Sequence, residues 1–519
     1  MQTLDTPNVV IPLASSINER GVAGYTHSIT NSEDQRKINC FYEPVKNAAT
    51  GKGTLTLSKR PGVTIDSQSY GDSTQQTYLL HNAIAGGEWG AHTISNNTRP
   101  WTFSKLGNDI RNSFGGTTTV IFTSGSGFIP VFVDTTAVAN VPYVVLQTRT
   151  PSATTAQRVW YAASSTVWTE ITDADFVALV HRGKMEHLDG FAFILTNTNL
   201  IFNSDSNSLA NWTNTSFLAK QIQQDYANGL ARYRNQILAF GDETVEVFYN
   251  AGNITGSPLG RIATLHQRIG LVPTTFGQGG GNTGGTNYYT TINDRMYFVG
   301  RKYGSAATVG VFSYDGQNFD KVSTPYIDKI LGEKIDVSGG SYSYYSINKL
   351  GHHGQVGVSI CLTAPSSSTQ IWLMFYPEWK EWFEWNSTVF SPVNSGEFFI
   401  GLGTNNNKVY HFPSSDNWQD DGTSYAWNTQ FRVPTNGSQR KFMLMYGVDA
   451  DTDTAGLGNT LTAELSTDDS QTFSTLGTID LTQDRKILTR GGSFRKGHIR
   501  LGNTNSRPTR IHNFLARIE

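Results

Sequence analysis

Between residues 189 and 331 the chain writes one unit three times: an apolar strand, a polar turn, a second apolar strand and a closing aromatic. In the first copy Phe191 to Leu195 and Leu200 to Phe202 flank the turn Thr196 to Asn199, and Trp212 closes the unit. In the second, Gln236 to Phe240 and Thr244 to Tyr249 flank Gly241 to Glu243. In the third, Arg295 to Val299 and Val309 to Tyr314 flank Gly300 to Thr308, with Phe319 closing. A hairpin repeated in this way cannot bury its faces alone and must stack on its neighbours, which predicts a β-propeller.

The composition agrees. Only 16% of the 519 residues are charged, 51 are glycine, and Thr, Ser and Asn crowd the gaps between short apolar runs, which favours strands and turns over helices. With 38% hydrophobic and 12% aromatic residues, a chain of this length can bury a large core. The formal net charge of −2 gives no bulk attraction to nucleic acid or anionic lipid, so any such contact is local. Cys40 and Cys361 fit neither a disulfide framework nor a zinc spacing, and the chain is expected to mature in a reducing compartment. The N-terminus lacks a basic stretch followed by an apolar one, and no apolar run nears the roughly 18 residues of a membrane span. Neither export nor membrane insertion is expected.

Hairpin signals continue on both sides of the central repeats. Residues 75 to 170 hold strands for one or two further blades, and the pairs Gln355 to Leu362 with Gln370 to Tyr376, and Phe398 to Leu402 with Lys408 to Phe412, supply two more, for about six blades. Residues 172 to 187 read as a short helix, with Thr172 as cap and Phe176, Leu179 and Val180 on one face. The expected fold is all-β: a propeller over residues 66–430, and an additional β platform formed by the chain ends, 1–65 and 431–519. Residues 275–287 contain Gly277, Gly279, Gly280, Gly281, Gly284 and Gly285; they cannot bury apolar area and are expected to project as a loop. No GK[ST] ending follows, so a phosphate cradle is not expected there.

Candidate sites divide into aromatic, acidic and basic groups. Trp372, Phe375, Tyr376, Trp379, Trp382, Phe383 and Trp385, interleaved with Glu378, Lys380, Glu381 and Glu384, have the composition of a sugar-stacking platform, but rings at blade-closing positions fill the inter-blade core. Ser466 to Phe473 resembles the Asp box of sialidases, which is a turn and takes no part in chemistry. Asp242, Glu243 and Glu246 alternate with Val245 and Val247 and are expected on a solvated face rather than as a catalytic acid pair. His352 and His353 diverge on a strand, and His181 and His187 are out of phase for a helical ligand pair. No catalytic residue, metal or cofactor is expected. The charge pattern offers one partner site: residues 485 to 519 carry nine Lys or Arg against one acid, Glu519. Arg485, Lys486, Arg490, Arg495, Lys496, Arg500, Arg507 and Arg510 are the candidate partner-binding residues, suited to a phosphate backbone or an acidic protein surface.

One ordered series is familiar. It runs through Asp189, Ser204-Asp205, Trp212, Phe217, Asp225, Gly241 to Gly252, Pro258 to Ile262, Ile269-Gly270 and Pro273. It continues in Arg295 to Gly300, Val311 to Gly316 and Lys321 to Asp328. The series resembles the tail hub (packaged-DNA stabilisation, or nozzle) proteins of short-tailed double-stranded DNA phages. The resemblance implies a virion protein made in the host cytoplasm, a hexamer below the head-to-tail adaptor that extends the DNA channel, helps retain the packaged genome and conducts it during ejection. Implied partners are the adaptor, a tail fibre or tail tip protein, and double-stranded DNA passing without sequence specificity. On this view the platform docks to the adaptor and the Gly-rich loop projects toward the channel or tip. That loop is longer than the family pattern. The alternative reading is a host-receptor or glycan-binding propeller, separated from the first by whether Trp379, Trp382 and Trp385 are exposed.

Overall fold

A strand covered on both faces needs apolar residues at odd and even positions alike. The first strand of each central repeat has that character: Phe191–Thr196 and Gln236–Gly241 bury all but their first residue, and Arg295–Lys302 buries Met296 to Gly300. The computed structural model describes residues 7, 9–13, 36–46, 53–66, 76–81, 101–114, 117–123, 127–138, 141–150, 157–164, 166–223, 225–272, 287–302, 309–335, 344–352, 354–363, 370–395, 398–401, 408–413, 417–433, 439–453, 458–468, 470–483 and 486–519. Among them the repeats are blades of a β-propeller, each an antiparallel sheet stacked on the next.

Seven blade sheets are present among the described residues, against the estimate of about six. Blades 1 and 2 (residues 76–123 and 129–170) take up both of the hairpin sets that precede the central repeats; blades 3, 4 and 5 (181–219, 227–261 and 269–321) are those repeats; blade 6 spans 344–387. Blade 7 is built from Phe390–Ser395, Phe398–Gly401 and Val409–His411, and its outer strand is Thr64–Ile65, paired as Tyr410↔Ile65 and His411↔Thr64. The first strand of blade 7 also packs against the first strands of blades 6 and 1. A segment that precedes blade 1 in sequence thus completes the last blade and closes the ring.

The chain ends join in one sheet, as expected. Its strand order is Cys40–Lys46, Gly53–Lys59, Arg510–Ile518, Lys441–Ala450 and Ile487–Thr489, with Val9–Pro12 on Arg510–Ile518 and Ser493–Phe494 on Lys441–Ala450. A second sheet continues blade 6 outward: Glu381–Ser387 is followed by Arg36–Ile38, Trp427–Arg432, His498–Asn503, Thr460–Ser466 and Ser474–Asp480. Buried charge pairs fix this joint. Arg60 is fully buried and meets both Asp420 oxygens, at 2.9 and 2.6 Å, Lys37 pairs with Glu381 at 2.6 Å, and Arg36 forks onto Glu384. Arg60 and Lys37, both buried, are stranded at high cost if their partners are lost, whereas Arg36 is only half-buried.

The expected helix over 172–187 is a single turn, Ala174–Val177, capped by Asp173 rather than Thr172. Its Phe176 buries against Trp212, with ring centroids 4.7 Å apart, and from His181 the chain is already the inner strand of blade 3. Local apolar spacing lost here to the pairing partner that blade 3 requires. A second helix, Pro325–Lys334, went unread although Thr324 caps it, proline opens it, and Ile327 and Leu331 are its buried face.

Candidate functional site

The inner strands of a propeller surround its axis, and here four of them meet. Tyr288, at the start of blade 5's inner strand, is buried. Its hydroxyl donates to the Leu230 carbonyl of blade 4 and accepts from the Lys184 amide of blade 3 at 3.0 Å, and its ring meets Phe132 of blade 2 edge-on at 5.9 Å. The ring needs the space left by two glycines. A Cβ on Gly183 or Gly229 would stand 2.9 or 2.8 Å from the Tyr288 hydroxyl, and Gly183 has φ +73° besides. Val131 and Phe132 of blade 2 share one apolar cluster with Ala231, Leu271 and Met296 of blades 4 and 5. The propeller axis is filled at this depth.

Beside the plug lies a charged ladder. Lys184 pairs with Asp134 at 2.6 Å and lies 3.9 Å from Glu186, which accepts from the Tyr289 hydroxyl at 2.8 Å. Burial pushes the Glu186 carboxyl up to about 8, with Lys184 restraining and Asp134 adding to the rise. Burial works against the Lys184 ammonium, but Asp134 and Glu186 outweigh it and hold its pKa above the ordinary value. Burial takes His181 down to about 4 and is the main reason that His187 falls to about 4. Among the described residues no group of three or more His, Cys, Asp or Glu is arranged to hold a metal, and no helix is long and apolar enough to cross a membrane.

Gly277, Gly279, Gly280, Gly281, Gly284 and Gly285 lie outside the described residues, as does Arg485. The flanks of the Gly-rich stretch are placed at the axis: the Val272 carbonyl accepts from the Tyr345 hydroxyl at 2.6 Å, and the Asn287 carbonyl accepts from the Ile347 amide at 2.7 Å.

The basic candidates separate in space. Lys486 is buried with its ammonium donating to Thr452 at 2.8 Å. Arg500 pairs with Glu464 at 2.6 Å and covers the Phe473 ring, and Arg510 forks onto Glu43 at 2.7 and 2.8 Å. Arg490, Arg495 and Lys496 are exposed, and Arg507 is half-buried. Sheet pairing brings to Arg495 and Lys496 three residues that the basic run did not include: Arg440, Lys441 and Phe442. The signal for them was a Lys-Phe pair opening a strand, unreadable without the pairing.

The aromatic run fills core. Trp372 and Trp385 are fully buried, the Trp385 indole donates to the Cys40 carbonyl at 2.7 Å, and half-buried Trp379 and Trp382 pack against apolar clusters. Glu246, expected on a solvated face, is fully buried. It pairs with Arg261 at 2.9 Å and accepts the Ile222 amide at 2.9 Å, because a blade strand is covered on both sides by its neighbours. The turn at Ser466 to Phe473 is structural: Asp468 accepts from Ser466 and Thr472, and Ser470 takes φ +67° at the position where an Asp box has glycine.

Asp225 ties the link between blades 3 and 4 to the turn of blade 4's second hairpin. Asp225 accepts from the amides of Glu243 and Thr244, both at 2.9 Å, and Gly241 must lack a side chain to admit it. A family model described as "Bacteriophage P22 Gp10, beta-propeller" matches residues 124–349. Over these residues the chain is similar to this phage stabilisation family. The P22 Gp10-like family is one of phage structural proteins that stabilise DNA, not of enzymes. No curated protein matches the chain. Among solved structures, the N-terminal domain of Nup159 is 9% identical, with a TM-score of 0.33 over 72% of this chain and 98% of that one. BBS1N in complex with ARL6DN is 11% identical, with a TM-score of 0.29 over 79% and 99%. An Aleuria aurantia lectin mutant in complex with Fucalpha1-6GlcNAc is 9% identical, with a TM-score of 0.30 over 61% and 96%.

Proposed function

We propose that this P22 Gp10-like protein is a tail hub, or nozzle, subunit of a short-tailed double-stranded DNA phage. Six copies form a ring below the head-to-tail adaptor, continue the DNA channel, hold the packaged genome and pass it at ejection. The observation that carries the reading is the match of residues 124–349 to the P22 Gp10 propeller family. The filled axis supports one consequence. With Tyr288, Val131 and Phe132 inside the propeller, a duplex has no path through one subunit, so the conduit is the opening that a closed ring of heterologous contacts leaves between copies.

The work of such a subunit is mechanical and needs no catalytic group. The described strands between residues 9 and 59 and between 427 and 518 form the platform that meets the adaptor, and the blades, with Thr64–Ile65 among their strands, form the propeller that a tail fibre or tip protein meets. DNA is handled through backbone charge and shape, without base contacts. The glycan-binding alternative gains nothing from the buried and half-buried indoles. The test is genome retention: DNA-filled heads that leak should keep their genome in a nuclease-resistant form once saturated with the purified chain. Leakage unchanged at saturation would refute the reading.

A further inference from the structure

One corner of the platform combines charge and exposed apolar surface. The strands Lys441–Ala450 and Ser493–Phe494 pair as Lys441↔Phe494 and Phe442↔Ser493, which sets Arg440 opposite Arg495. The Arg490 amide donates to the Leu444 carbonyl of the same strand at 2.8 Å. Arg440, on the same strand face as Phe442, and Arg495 opposite it therefore flank Phe442, which is 51% exposed, and the exposed Arg490 and Lys496 lie on the adjoining segment. The Arg440 guanidinium is fixed by Ser493 at 3.0 and 2.7 Å and lies 5.9 Å from the Phe442 ring. Glu519, whose backbone pairs with that of Phe442, binds Arg517 at 3.2 Å.

We propose that this corner docks an acidic protein surface that also offers an apolar pocket for Phe442. On the tail hub reading, on which the proposal rests, that surface belongs to the adaptor ring. The cations alone would suit a phosphate backbone equally well. Phe442 favours the protein surface, because a duplex takes a phenyl ring only by unstacking a base step, at a cost in free energy. A central aromatic flanked by arginine is instead the makeup of a protein–protein hot spot. The surrounding charges set partner choice and the rate of encounter.

The test uses the full chain co-sedimented with DNA-filled, adaptor-capped heads of its phage. Phe442→Ala should weaken binding by about 10-fold or more, as loss of a hot-spot anchor does, with an unchanged melting temperature. The double variant Arg490→Glu/Lys496→Glu should weaken it chiefly at low salt through slower association. Ile254→Ala, a fully exposed position on blade 4, should bind as the unaltered chain does. A short DNA duplex serves as the competing probe. Loss of duplex binding with head binding intact would overturn the assignment, as would head binding unaffected by either variant. If the unaltered chain itself fails to join the heads, the tail hub reading falls and takes this proposal with it.

Discussion

Gly229 and Tyr288 are separated by 59 positions in sequence and share one space at the propeller axis, so a double-mutant cycle reads the plug directly. An alanine at 229 would put its Cβ 2.8 Å from the Tyr288 hydroxyl and 2.9 Å from Cζ. The ring has nowhere to retreat, with Phe132 on one side and the Lys184 amide and Leu230 carbonyl holding its hydroxyl. Overpacking of this kind costs about 1–3 kcal/mol. Tyr288→Ala alone removes a buried ring, at about 3–5 kcal/mol by analogy with Phe truncations. In the double variant the ring is gone and the methyl group added at 229 has room, so most of the Gly229→Ala cost vanishes and the cycle should show a coupling of about 1–3 kcal/mol. Urea denaturation of the four proteins, followed by tryptophan fluorescence, measures it. Costs that add to within about 0.5 kcal/mol would show that the two residues do not meet, and the plug would be wrong.

Three further outcomes are expected. His181 and His187, held near 4 against an ordinary 6.5, stay neutral in the fold while the unfolded chain protonates. Stability should therefore fall as pH drops from about 6.5 toward 4, and His187→Leu should flatten that fall in denaturation midpoints taken at pH 7 and 5; no change of slope contradicts it. Glu186 acts in the opposite sense. Its pKa rises from 4.5 to about 8, so its stabilising contribution is complete below 4.5 and lost as pH climbs through 8. Glu186→Gln should then remove a loss of stability that runs from about pH 4.5 to 8. Asp420→Ala strands the buried Arg60 guanidinium and should cost about 3–5 kcal/mol, visible as a lower melting temperature; a shift within experimental error would show that the joint is held otherwise.

What the sequence made legible follows from how local each signal is. Blades 3 to 5 were readable because the second strand of each blade is largely apolar and a polar turn separates it from the next apolar strand, so the local pattern carries them. Asp225, Gly241 and Thr244 were legible only as members of an ordered series; the structure supplies its reason, a carboxylate capping the next blade's turn where a Cβ on Gly241 would stand 2.2 Å from it. The hairpin of the seventh blade was legible, but its last strand was not, because Thr64–Ile65 is two residues long and comes from the other end of the chain. Burial of Glu246 was misread because strand alternation assumes one wet face, and an inner blade has none. The basic run was legible as charge but not as surface. Arg500 and Arg510 face Glu464 and Glu43 across sheet pairings that no local pattern reveals, whereas the same pairings bring Arg440 and Phe442 to Arg495.

The central claim is that copies of this chain close into a ring on the axis of the phage head. Electron microscopy of the purified chain mixed with DNA-filled, adaptor-capped heads of its phage tests it most directly. The account predicts six-fold density extending the portal axis, with the two-ended platform against the adaptor and propellers whose own axes are closed. Bare heads beside free monomers would contradict it, and so would a single propeller threaded by DNA.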